Sequence, residues 1–214
     1  MTTFFSDNKF ASQLEKELQN LPGEAAHVEM FPTRAKTSDV LKTSVDHRIS
    51  AVMALIYFGG IQHQIILIER QDYDGKHSGQ MSFPGGKKEA NDKNELDAAL
   101  RETHEEIGIP REQIKVLGKL SDVFIPVSNF LVHPFIGYLE NKPEFILDKR
   151  EVKNIVHFEI SELLKEENRI ITDVSVGNGT TFKNVPAFFI KDKVIWGATA
   201  LMLNELRFIL RRFL

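Results

Sequence analysis

From Ile49 to Gly108 the chain reads as strand, turn, strand, rigid turn and helix, and this run constrains the fold more than any other feature. Ile49 to Phe58 (ISAVMALIYF) is an apolar run of strand length, read as a buried strand. Gly59-Gly60 marks a turn, and Gln64 to Glu69 (QIILIE) gives the second strand of a hairpin. Asp72 to Gln80 is a polar loop holding Gly75 and Gly79, and Phe83-Pro84-Gly85-Gly86 is a tight turn. Asn94 to Ile107 then reads as a helix, with Leu96, Leu100, Thr103 and Ile107 along one stripe. Gly108 suits a left-handed C-terminal cap, followed by Pro110.

The flanking sequence supplies the rest of a mixed sheet. Strands are expected near Gln113 to Leu120, Leu131 to Leu139 and Glu151 to Phe158, with a helix starting at Ile160 to Leu164. Thr180 to Ile195 reads as a hairpin with Lys191-Asp192 at its tip, and Trp196 to Leu214 as a last amphipathic helix. At the other end, Ser6 to Leu21 reads as a helix capped by Ser6, with Phe10, Leu14, Leu18 and Leu21 on one face and Pro22-Gly23 ending it. Met30 to Ser44 lacks periodicity and reads as a connection. The expectation is an α+β fold with a mixed sheet between helices, residues 1–44 packing on a main domain of residues 45–214.

Composition narrows the function by exclusion. The 214 residues carry 27 basic and 30 acidic side chains, a net charge of −3, without the basic excess of a nucleic-acid binder. No cysteine is present, which removes disulfides, thiolate chemistry and Cys-based zinc sites and fits a reducing compartment. Met1 to Asn20 lacks the pattern of a signal peptide, and no apolar run approaches the ~20 residues that span a bilayer. The expectation is a cytoplasmic protein acting on a small molecule, with neither nucleic acid nor membrane as partner.

The chemistry concentrates in Arg101-Glu102-Thr103-His104-Glu105-Glu106-Ile107-Gly108. Helical spacing projects Glu102, Glu105 and Glu106 from one face, away from the Leu96/Leu100/Ile107 stripe. Three neighbouring carboxylates repel one another unless a positive charge sits among them, and a hard divalent cation with oxygen ligands is the natural partner. Such cations clamp a diphosphate and activate water for in-line attack on phosphorus. The same run also fits a plain solvated helix face. The Gly85-Gly86 turn before the helix favours the first reading, because glycines let backbone groups approach a ligand closely.

Gly86 to Ile109 (GKKEANDKNELDAALRETHEEIGI) resembles the signature box of the Nudix superfamily. The Arg-Glu-x-x-Glu-Glu-x-Gly half matches in full. One extra residue before Arg101 brings Gly86 onto the box glycine and Asp92, a shorter acid, onto the first glutamate; Thr103 stands at a normally apolar position. That extra residue is similar to the coenzyme A pyrophosphatase branch, as is Gly79-Gln80-Met81-Ser82-Phe83-Pro84-Gly85-Gly86. Upstream the match is partial. Ile66-Leu67-Ile68 stands for Leu-Leu-Thr, Arg70 keeps the first arginine, Gln71 replaces Ser or Ala, and Gly75 stands at the second arginine position beside Lys76. Ile125 to Phe130 and Trp196 to Ala200 also resemble this branch, so the likeness spans roughly Ile49 to Leu203.

The resemblance implies an α/β/α sandwich and a Mg²⁺- or Mn²⁺-dependent diphosphatase. Glu102, Glu105, Glu106 and the Gly86 carbonyl would be metal ligands, with Arg101 orienting the glutamates. A further acid from a later loop would act as ligand or general base, and Glu151 is the candidate; an ordinary strand-entry carboxylate is the alternative. Arg70, Lys76, His77, Gly79, Phe83 and Gly85 are the candidate substrate contacts. The implied reaction splits coenzyme A or its thioesters into 3′,5′-ADP and 4′-phosphopantetheine or its acyl derivative. The alternatives are another nucleoside diphosphate derivative, such as ADP-ribose or a dinucleotide, and a noncatalytic nucleotide-binding regulatory domain. His104 is expected to be exposed, Trp196 to pack in the core, and Phe83 to anchor the turn before it contacts substrate. Apolar residues of Ala200 to Leu214 and Phe4 to Phe10 are assigned to the core or, alternatively, to a homodimer interface.

Overall fold

The computed structural model describes residues 7–31, 36–43, 46–72, 79–176 and 179–214. Its centre is strand β1 (Arg48–Phe58), which pairs in parallel with β7 (Phe130–Leu139) on one side. The other edge of β1 is shared. Its later residues, Ile56 to Phe58, pair with β2 (His63–Arg70) as a hairpin, and its earlier ones, Ser50 to Val52, pair with β4 (Gly85–Lys87). β2 also pairs with β3 (Met81–Ser82) and β8 (Val152–Glu159); β5 (Lys115–Lys119) and β6 (Val123–Ile125) add to β7. The result is an eight-stranded mixed sheet, all pairs but β1–β7 being antiparallel.

The apolar run of β1 feeds two cores because successive side chains point to opposite faces. Met53, Leu55 and Tyr57 join Ile66 and Ile68 of β2 under helix α4 (Glu95–Ile107). Ala54 and Ile56 join Ile65 and Leu67 on the other face, under α1 (Asp7–Glu17) and α6 (Gly197–Leu210). Helices on both faces of one sheet make an α/β/α sandwich of the α+β class, as expected. A second sheet of β9 (Arg169–Ser175), β10 (Thr181–Ile190) and β11 (Lys193–Ile195) contributes Phe188, Ile190 and Ile195 to the α6-side core. Between the sheets lies α5 (Ile160–Leu164). Lys191 and Asp192 turn the β10–β11 hairpin with positive φ.

Several expectations need correction. The segment read as a bare connection contains α3 (Thr37–Thr43), and α2 (Glu24–Val28) lies just before it. Both are too short to show helical periodicity, and tertiary bonds hold them: Asn204 Nδ2 donates to the Ala26 carbonyl, and Thr37 Oγ1 accepts from Phe124 N–H. Ser6, the expected N-cap, lies outside the described residues. Trp196 is half-buried and packs with its ring tilted 39° against Phe182 at the start of α6 instead of filling the core. Of the apolar residues assigned to the core or to a homodimer interface, Phe10, Leu203, Leu206, Ile209 and Leu210 are buried within their own chain, and Phe4 and Phe5 lie outside the described residues.

Candidate active site

Helix α4 starts where Asn94 Oδ1 accepts a hydrogen bond from Asp97 N–H, and ends at Gly108 with φ of 76°. Its buried face differs from the expected stripe. Ala98, Ala99, Thr103 and Ile107 face the sheet, while Leu96 and Leu100 are only half-covered. Thr103 tolerates the apolar setting because its hydroxyl donates to the Ala99 carbonyl at 2.7 Å. His104 is exposed.

The three glutamates do not share one solvent-facing surface. Glu105 is exposed, Glu102 is half-buried, and Glu106 is 2 % exposed on the sheet side. Glu106 therefore departs from the expectation, because the face it shares with Glu102 is covered at this turn of the helix by Gly85 of β4. There Glu106 Oε2 accepts from Gly85 N–H at 2.8 Å. Its Oε1 is buried without a hydrogen-bond partner and faces Arg70 Nη1 at 3.5 Å. Arg70 Nε is likewise buried and unpartnered. Burial pushes the Glu106 carboxyl up to about 8, against the pull of Gly85 N–H and Arg70 and with the push of Glu102 and Glu151. Burial also raises Glu102, with Arg101 opposing and Glu105 and Glu151 reinforcing.

The glycines fit by necessity. Gly85 has φ of 145°, and a Cβ there would lie 2.3 Å from the Ala51 carbonyl oxygen. A Cβ on Gly86 would lie 2.4 Å from Cδ of Glu102. The turn thus seats α4 directly against β1.

Arg101 uses its whole guanidinium. Nε and Nη2 donate to Asp92 at 2.9 and 3.0 Å, Nη1 to Glu102 at 3.0 Å and Glu105 at 2.8 Å, and Nη2 to the Lys87 carbonyl at 3.2 Å. The Asp92 side chain is buried, and its carboxyl is held below the usual range chiefly by Arg101. Asp92 was visible in the sequence only as a shortened acid in the box. Its pairing with an arginine nine residues later was not.

Glu151 is exposed at the entry to β8, on a turn tied to the box helix where Asp148 N–H donates to the Glu106 carbonyl at 3.0 Å, and its charge adds to the upward push on Glu102 and Glu106. Of the candidate substrate contacts, Arg70 lies at the Glu106 carboxylate and Gly85 beneath it. Gly79 stands at the foot of the polar loop, its N–H donating to the Gln71 carbonyl at 3.3 Å. Phe83 does not line the site. It is 1 % exposed in the α6-side core, so the assignment as a substrate contact is corrected. Lys76 and His77 lie outside the described residues.

Among the described residues no three acids or imidazoles converge closely enough to hold a metal ion as they stand. The side-chain partners explain this. Glu102 and Glu105 are drawn to Arg101, and Glu106 to Gly85. The donor set nonetheless suits a hard cation: all oxygen, two raised carboxyls and an orphaned Glu106 Oε1.

The family model described as the NUDIX domain matches residues 47–174. The chain belongs to the Nudix family. It is a Nudix diphosphatase, of a family whose enzymes generally use divalent cations such as Mg²⁺. A similar relative is the uncharacterized Nudix hydrolase NudL of Yersinia enterocolitica, 31 % identical over 142 residues, 66 % of this chain and 71 % of the relative. NudL of Yersinia pestis is 30 % identical over 142 residues, 66 % of this chain and 70 % of its own. Among solved structures, a MutT/nudix family protein from Enterococcus faecalis matches with a TM-score of 0.52 at 15 % identity, over 98 % of this chain and 75 % of that one, a likeness of fold. No helix among the described residues is long and apolar enough to cross a membrane.

Proposed function

We propose that this diphosphatase hydrolyses coenzyme A or its thioesters, giving 3′,5′-ADP and 4′-phosphopantetheine or its acyl derivative, with Mg²⁺ or Mn²⁺. The observation that carries the diphosphatase chemistry is the buried Glu106 carboxylate, fixed through one oxygen by Gly85 N–H, its other oxygen free of hydrogen bonds and facing Arg70 at 3.5 Å. The Gly79 to Gly86 segment and the extra residue before Arg101 support coenzyme A.

Glu102, Glu105, Glu106 and the Gly86 carbonyl would hold the cation, which supplies Lewis-acid stabilisation of the phosphoryl oxygens when bound. Arg101, anchored on Asp92, fixes how far Glu102 and Glu105 turn. Arg70 puts positive charge at the Glu106 side, where an anionic diphosphate would lie. Glu151, exposed on the turn that Asp148 ties to the Glu106 carbonyl, takes a proton from the attacking water as the anhydride P–O bond breaks. Another nucleoside diphosphate derivative is the second reading, favoured by Gly75 where the branch has an arginine.

The test is product identification after incubation with Mg²⁺ or Mn²⁺ and coenzyme A, ADP-ribose, NADH or diadenosine polyphosphates. Release of 3′,5′-ADP from coenzyme A is expected. Turnover of ADP-ribose without coenzyme A would overturn the substrate, and turnover of none the reaction.

A further inference from the structure

Glu151 sits on an exposed turn, where a side chain with a catalytic task has no packing to hold it. The turn is instead sewn to its surroundings from two directions. On the helix side, Asp148 N–H donates to the Glu106 carbonyl at 3.0 Å, and the Asp148 carbonyl accepts from Glu151 N–H at 3.0 Å and Val152 N–H at 2.8 Å. On the strand side, Gln71 N–H donates to the Glu151 carbonyl at 2.8 Å. The Gln71 side chain adds what the backbone does not: Nε2 donates to the Lys149 carbonyl at 2.7 Å. Gln71 follows Arg70 directly and also receives Gly79 N–H on its own carbonyl, so it joins the foot of the polar loop to the Glu151 turn. A serine or alanine at position 71 lacks the reach for that bond.

We infer that Gln71 is a positioning residue, whose amide holds the Lys149–Glu151 turn against the Glu106 end of the box helix and thereby fixes where Glu151 is presented. The inference rests on the reading of Glu151 as the group that accepts the water proton. Gln71 touches no reacting atom and acts through the turn.

The experiment compares Gln71→Ala, Gln71→Met (similar length, no donor) and Asp72→Ala, whose carboxylate bonds Lys153 rather than the turn. Kinetics with Mg²⁺ and hydrogen exchange of the 148–152 amides are both measured. The two Gln71 variants should lose about five- to tenfold in kcat. KM and Mg²⁺ affinity should stay within about twofold, and exchange of the Glu151 and Val152 amides should speed up. Asp72→Ala should change neither. In a Glu151→Gln background, Gln71→Met should cost nothing further. Unchanged exchange in Gln71→Met overturns the inference, whatever the activity. A kcat loss that adds in full to that of Glu151→Gln also overturns it, because Gln71 would then act elsewhere. If Glu151→Gln keeps full turnover, the role given to Glu151 falls and the positioning role with it. If the wild type turns over no substrate, the proposed function falls, and exchange still decides whether Gln71 holds the turn.

Discussion

The main-chain N–H of Gly85 meets Oε2 of Glu106 at 2.8 Å, joining the turn that opens the box to the last acid of its helix. The bond holds a buried carboxylate in place while leaving its second oxygen unpartnered. Replacing Glu106 by Gln keeps an acceptor for Gly85 and removes the charge. Its turnover should fall about a hundredfold or more. The metal-free variant should be more stable than wild type at pH 7, by about 1–3 kcal/mol. The sign follows from the raised carboxyl: ionising Glu106 in the folded state opposes folding as pH climbs from the ordinary 4.5 towards about 8. Thermal melts with and without Mg²⁺ check this. A variant less stable than wild type in both conditions would refute it.

Adjacent glycines should fail in different ways. Gly85→Ala drives a Cβ into the Ala51 backbone at φ of 145°, and should cost about 3 kcal/mol or more of stability. Gly86→Ala meets only the end of the Glu102 side chain, which can swing away. It should fold with a near-normal melt and lose at least about tenfold in kcat. Circular dichroism melts beside kinetics separate the two, and equal stability loss would contradict the geometry.

Asp92 anchors Arg101 through two bonds, leaving one nitrogen for Glu102 and Glu105. Asp92→Asn should lower kcat about tenfold with little change in KM. Arg101→Lys should do no better, since an ammonium cannot span four carboxylate contacts and a carbonyl. Wild-type kinetics in either variant would show that Arg101 needs no anchor.

Far from the site, Glu205 on α6 is buried, which pushes its carboxyl up, yet His27 and Ser121 outweigh this and leave it below the ordinary value. A depressed carboxyl contributes stability above its unfolded value that is lost as pH falls through the folded one. Urea unfolding from about pH 7 to pH 3 should therefore show a steeper acid loss for wild type than for Glu205→Gln. Parallel curves would exclude this pair as a source of acid sensitivity.

Unbroken apolar runs made the central strand and its hairpin partner legible, because they bury both faces, and helical spacing did the same for the box helix. Gly85 was legible because its φ of 145° and the Ala51 backbone beside it leave no room for a side chain. Glu106 was misplaced because helical spacing says which residues are neighbours and not which way the face turns against a sheet. Asp92 and Gln71 were missed as partners because their bonds, to Arg101 and the Lys149 carbonyl, depend on loop paths that no local pattern encodes. Phe83 was legible as the anchor of its turn, and its burial sets aside the second reading, a contact with substrate.

Sharing one edge of β1 between β4 and β2 has an evolutionary consequence. The reactive helix is registered on the first half of that strand, and the polar loop after Arg70 hangs from the partner of the second half. Insertions or exchanges after Asp72 can therefore accumulate without disturbing the register of the reactive helix on β1. Relatives with different diets should differ most between Asp72 and Gly79 and least between Gly85 and Gly108.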